Sequence, residues 1–117
     1  MADYRDLGGY KSPTHNATVY GYTDVDKYVD WSTYIDFTHG YVDNTHQGTL
    51  CNYTLRLQYW NGSAWTNVST KTGSFQYSVT TRFYMLTLQA GSYRMNGVYT
   101  FNGKSYSNFT PAFIVER

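Results

Sequence analysis

The stretch CNYTLRLQYWNGSAWTNVST, from Cys51 to Thr70, restricts the possible folds more than any other part of the chain. Cys51, Tyr53, Leu55, Leu57 and Tyr59 alternate with Asn52, Thr54, Arg56, Gln58 and Trp60. That is the period of a strand with one buried and one wet face. Asn61-Gly62 follows, and both residues tolerate the positive φ that a tight turn needs, so the stretch predicts a β-hairpin. A two-residue closure and a four-residue closure (Asn61 to Ala64) give the same facing. Either one sets Val68 opposite the Leu55/Leu57 side and groups Trp65 with Trp60, Gln58 and Arg56 on the other. Two tryptophans are thereby expected on the wet face.

The rest of the chain repeats this rhythm. Residues 1–16 carry Gly8-Gly9 and Ser12-Pro13 and few aliphatics, and read as an extended N-terminal arm; residues 17–117 read as one β domain. Ala17 to Tyr22 predicts a strand, and Thr23 to Asp30 a turn-rich connection. From Trp31, the series Trp31, Thr33, Ile35, Phe37, His39, Tyr41 alternates with polar neighbours, with Ile35 and Phe37 as core. Lys71 to Gly73 predicts a short turn. Phe75, Tyr77 and Val79 form another run, which Thr80-Thr81 interrupts before a dense apolar segment from Arg82 to Leu88. Tyr93 to Phe101, Asn102-Gly103 and Lys104 to Thr110 predict a second hairpin, with Phe101 opposite Lys104 and Tyr99 opposite Tyr106. Pro111 cannot donate to a ladder and precedes a closing strand, Ala112 to Glu116. Seven or eight short antiparallel strands without a helix imply a two-sheet sandwich or a small barrel.

One motif resembles a known family. Leu88, Gly91, Tyr93 and Met95 stand as Leu-x-x-Gly-x-Tyr-x-Met, similar to the tyrosine corner of immunoglobulin and fibronectin type III domains. The resemblance runs from about Ala17 to the end, with Cys51 to Thr70 in the place of strands C and C′ and Tyr93 to Thr110 in that of F and G. It implies a single immunoglobulin-like β-sandwich. The chain departs from antibody domains in having Met95 where the second cysteine would stand and Leu55 or Leu57 in place of the buried Trp. The resemblance therefore implies architecture and no function.

Charge and cysteine content exclude several classes of function. Net charge is +1 with 15% charged residues, and the nine Lys and Arg are scattered, so no basic face for nucleic acid or an anionic membrane is expected. No apolar run is long enough to span a membrane. The N-terminus lacks the basic start and apolar core of a signal peptide, which fits either a removed leader or export by another route, as for a virion component. The single cysteine, Cys51, lies on the apolar side of its strand and reads as a small buried hydrophobe.

Trp60, Trp65, Arg56 and Gln58 form the candidate binding set. Indoles stack on the C–H faces of sugars or pack in protein contacts, while Arg and Gln bond hydroxyls and carbonyls. Asp24, Asp26, Asp30 and Asp36 supply hard oxygen ligands, but no glycine bend or bidentate Glu completes a calcium loop, and Asp is ordinary turn chemistry. His15, His39 and His46 have no ligand or triad partners at useful spacing, and His39 shares a face with Phe37 and Tyr41, as a packed histidine would. Asn16, Asn52, Asn61, Asn67 and Asn108 each begin a glycosylation sequon. No cofactor, metal or catalytic set is called for. The sequence thus leads to a non-catalytic structural or adhesive module, extracellular or on a virion, filament or cell surface. It would act by self-assembly or protein contacts, with a glycan partner at Trp60/Trp65 as the alternative.

Overall fold

The computed structural model describes residues 5–11, 16–25, 27–29, 32–41, 50–101 and 104–116, with side chains at 19–25, 27–29, 32–40, 50–100 and 105–116. Among them are no helix and ten strands: β1 (Arg5–Lys11), β2 (Asn16–Thr23), β3 (Lys27–Tyr28), β4 (Tyr34–Tyr41), β5 (Cys51–Trp60), β6 (Trp65–Phe75), β7 (Ser78–Tyr84), β8 (Gly91–Phe101), β9 (Lys104–Phe109) and β10 (Phe113–Val115). They make two sheets, one in the order β1-β2-β4-β7 and the other β3-β10-β8-β5-β6. Strand β9 lies on the same flank of β8 as β10, which pairs with the opening residues of β8 while β9 pairs with the rest. The architecture is all-β and sandwich-like, with one core between the sheets. Val19, Ile35, Phe37 and Phe83 enter that core from the four-stranded sheet; Leu55, Leu57, Tyr93, Met95 and Tyr99 enter from the six-stranded one.

The expected hairpin is β5-β6. Trp60 pairs with Trp65, so the four-residue closure is the one adopted. Asn61 explains it: the Asn61 N–H donates to the Ala64 carbonyl at 3.1 Å, and its side-chain Oδ1 accepts from the N–H groups of Ser63 and Ala64, each at 2.9 Å. Gly62 takes φ of 98°, where a β-branched residue would be strained. Cys51, Leu55 and Leu57 are buried as expected. Val68 is not. A bulge opposite Leu57/Gln58 pairs Leu57 with Ser69 and Gln58 with Asn67, leaving Val68 unpaired and 43% exposed.

Other boundaries differ from the expected ones. The strand count is ten rather than seven or eight, and β10 runs parallel to β3, so the pairing is not wholly antiparallel. Arg5–Lys11, within the expected arm, pairs with β2. No turn interrupts Lys71 to Gly73. There β6 continues through Thr70 and Thr72, and Gly73 permits a close approach, because a Cβ at that position would lie 2.7 Å from the Tyr53 hydroxyl. Thr80-Thr81 lies inside β7, where both hydroxyls find partners: Thr80 with Thr38 at 3.0 Å and Thr81 with His39. The apolar segment after Arg82 ends as a strand at Tyr84. Beyond it Met85 and Leu88 return to the core through a turn while Leu86 projects outward. The registers Phe101↔Lys104 and Tyr99↔Tyr106 are as expected; the turn residues Asn102 and Gly103 lie outside the described residues.

Across the middle of the core runs a polar chain. Fully buried His39 bonds Tyr99 Oη through Nδ1 at 2.7 Å and Thr81 Oγ1 through Nε2 at 2.8 Å, and Thr81 donates to Tyr53 Oη at 3.2 Å. Burial pushes the imidazole pKa down to about 3, so the ring is neutral near pH 7. With Thr81 giving its proton to Tyr53, the neutral tautomer that fits is the one in which Nε2 donates to Thr81 and Nδ1 accepts from Tyr99. Burial likewise raises the pKa of Tyr99. This chain joins β4 and β7 of one sheet to β5 and β8 of the other, so it fixes how the two outer faces are mounted.

Candidate functional site

The outer face of β5 brings together the residues expected there and adds others from distant strands. At the hairpin end the Trp60 and Trp65 rings lie 5.5 Å apart, tilted by 55°. Trp60 is 40% exposed and Trp65 half-buried. Gln58 spans three strands: its Nε2 donates to Asn67 Oδ1 at 2.9 Å on β6, and its Oε1 accepts from Arg94 Nε at 2.8 Å on β8. The Arg94 guanidinium lies 4.5 Å from the Trp65 ring centroid and 3.9 Å from that of Phe109 on β9, within cation–π range of both. Partial burial lowers the pKa of Arg94. Arg56 Nη1 donates to Asn96 Oδ1 at 3.3 Å; the buried Asn96 amide in turn gives both protons away, to Ser107 Oγ and the Asn108 carbonyl, each at 3.1 Å. Trp60, Trp65, Gln58 and Arg56 therefore share one face.

Arg94, Phe109 and Asn96 belong to that face and were not singled out from the sequence. The available signal was period two. Once Tyr93 and Met95 are assigned inward, Arg94 and Asn96 must point outward, but only the β5-β8 register sets Arg94 opposite Gln58.

The opposite side of the molecule carries a second aromatic cluster. On the outer face of β4 and β7, Arg82 lies 3.9 Å above the Tyr34 ring, and Tyr34 meets Tyr84 edge-on at 5.2 Å. Here the guanidinium is bound in bidentate fashion by Asp36, through contacts of 2.8 and 2.9 Å. That pairing raises the pKa of Arg82 and lowers that of Asp36. Tyr20 and Tyr22 stack beside it on β2.

Among the described residues the remaining candidates assemble no site. Among the described residues no cluster of three or more His, Cys, Asp or Glu side chains is placed to hold a metal. Asp24 accepts from the Tyr28 hydroxyl and from the Asp36 N–H, and Asp36 is held by Arg82. Asp26 and Asp30, like His15 and His46, lie outside the described residues. Cys51 is buried in the core. No helix among the described residues is long and apolar enough to cross a membrane. No protein-family model matches the chain, and no curated protein matches it.

Proposed function

We propose that the chain is a non-catalytic structural or adhesive β-sandwich module that works by protein–protein contacts on the outside of a virion, filament or cell. The supporting observation is that each outer face presents large aromatic rings immobilised by a stacked arginine: Tyr34 and Tyr84 with Arg82, Trp65 and Phe109 with Arg94. Tyr, Trp and Arg dominate the energetics of protein contacts, and rings already fixed in place lose little entropy on association. The fold within this reading is immunoglobulin-like, of the fibronectin type III kind. The order β2-β4-β7 against β6-β5-β8-β9 supports it, as does the bond from Tyr93 Oη to the Gln89 carbonyl at 2.7 Å, which has the form of a tyrosine corner.

Light scattering and negative-stain imaging across concentration test the contact role. Defined oligomers or filaments that weaken in Trp65→Ala or Tyr84→Ala are expected; a monomer at every concentration refutes self-assembly. A second reading, carbohydrate binding at Trp60 and Trp65, is favoured by the polar make-up of the face: Gln58 and Asn67 place amides next to the indoles, and Thr70, Thr54 and Ser107 continue the face along the strands with hydroxyls.

A further inference from the structure

We infer that the outer face of β5, β6, β8 and β9 takes a polysaccharide with repeated carboxylates, a uronic-acid chain, with Trp60 and Trp65 stacking on its sugar rings and Arg94 and Arg56 receiving its carboxylates. The inference rests on the carbohydrate reading of this face and adds the charge of the ligand. Its first support is the allocation of carboxylates. Asp24 is engaged by Tyr28, Asp36 by Arg82, and Glu116 by Lys27 at 2.8 Å. Neither Arg56 nor Arg94 has a carboxylate partner among the described residues. Each is instead held by a neutral amide, Asn96 or Gln58, which orients the guanidinium without neutralising it. Stacking on Trp65 and Phe109 withdraws Arg94 from part of its water, so an arriving anion meets a charge already partly desolvated and oriented.

Strands β5, β6, β8 and β9 contain no Asp or Glu, so the electrostatic complement of this face is an anion. Register supplies the spacing. Arg56 pairs with Asn96 and Gln58 with Arg94, making the two arginines diagonal neighbours on adjacent strands, on the order of 7–8 Å apart. Two such side chains reach separate carboxylates of one polymer. A sugar chain fits better than an acidic protein surface because, away from the hairpin end, Val98 is the one apolar side chain among the outward residues of β5, β8 and β9, and its neighbours Thr54 and Ser107 are hydroxyls, whereas the centre of a protein interface is apolar and depleted of charge.

The test is affinity electrophoresis of the full chain in gels containing sodium polygalacturonate, alginate or hyaluronate. Fully methyl-esterified polygalacturonate serves as the uncharged counterpart and poly-L-glutamate as the acidic polypeptide. Retardation by at least one uronate polymer is expected, weakening as salt rises. Arg94→Gln should weaken it about tenfold or more, and Trp65→Ala comparably. Lys27→Gln, which removes the same charge elsewhere, should leave it unchanged, with circular dichroism confirming that all three variants fold. Equal retardation by the methyl ester overturns the charge assignment and leaves neutral sugar binding standing. Equal retardation by poly-L-glutamate, or full retention in Arg94→Gln, also overturns it. No retardation by any glycan overturns both this inference and the carbohydrate reading.

Discussion

The two outer faces use the same device to different ends. Each stacks an arginine on aromatic rings, Arg82 on Tyr34 and Arg94 on Trp65 and Phe109. Arg82 has its counter-ion beside it on the neighbouring strand, with Asp36 gripping it through two contacts. Among the described residues Arg94 has no carboxylate beside it; its guanidinium is held by the Gln58 carbonyl and the two rings. Among those residues the first face is therefore electrostatically closed and the second open. A stacked arginine alone does not show whether a face recognises charge, and the cross-strand partner decides it.

The largest expected effect tests whether the two faces share one support. His39 has a pKa near 3 when folded, against about 6.5 in an unfolded chain, so below pH 6.5 the unfolded state binds the proton first. Stability from this site is fully present above about pH 6.5 and is lost as pH falls toward 3, by about 4 to 5 kcal/mol. Urea midpoints measured from pH 7 to pH 4 should fall accordingly, and the slope should flatten in His39→Gln. Tyrosine and tryptophan fluorescence should report loss of both faces in one transition; separate transitions would show that the faces are mounted independently.

Next in size is the ground beneath Arg94. Gly97 faces the core on β8, and a Cβ there would lie 2.4 Å from the Tyr99 ring, which its bond to His39 holds in place. Gly97→Ala should cost about 1–3 kcal/mol by denaturant unfolding. A cost near zero would mean that Tyr99 moves freely. Tyr93→Phe, which deletes the bond to the Gln89 carbonyl, should cost about 0.5–1.5 kcal/mol.

The smallest effect separates the faces directly. The Arg82–Asp36 pair is exposed enough that Arg82→Gln should lower the urea midpoint only slightly, and the loss should shrink in high salt. Asp36 has a lowered pKa, so its contribution is present above the ordinary carboxylate range and disappears as pH falls through that lowered value. Arg94→Gln should show no such acid-dependent loss, since no carboxylate faces Arg94 among the described residues. Equal salt and acid sensitivity in the two variants would erase the distinction.

Much of this arrangement is legible in the chain itself. Alternation in β5 assigns Leu55 and Leu57 inward and Arg56, Gln58 and Trp60 outward, because successive strand side chains point to opposite faces whatever the strand pairs with. Asn61-Gly62 announces the hairpin through backbone preference, and Tyr93 announces its bond to a carbonyl four residues upstream. Val68 shows the limit. A one-residue bulge reversed its facing, and bulges are set by the fit of two strands rather than by either sequence alone. Strands β1 and β3 escaped for a related reason: glycine-rich or two-residue segments carry too little periodicity to read, and pairing with β2 and β10 defines them.

By itself, then, the sequence determined an all-β chain, the hairpin at its centre and the tryptophans on the hairpin's outer side, because local alternation and turn residues depend on nothing beyond a few neighbours. The tertiary structure alone decided which arginine met a carboxylate. Gln58 and Arg94 lie 36 residues apart, and Asp36 and Arg82 lie 46. Partners so distant are chosen by strand register across a sheet, which the shared core fixes for all strands together.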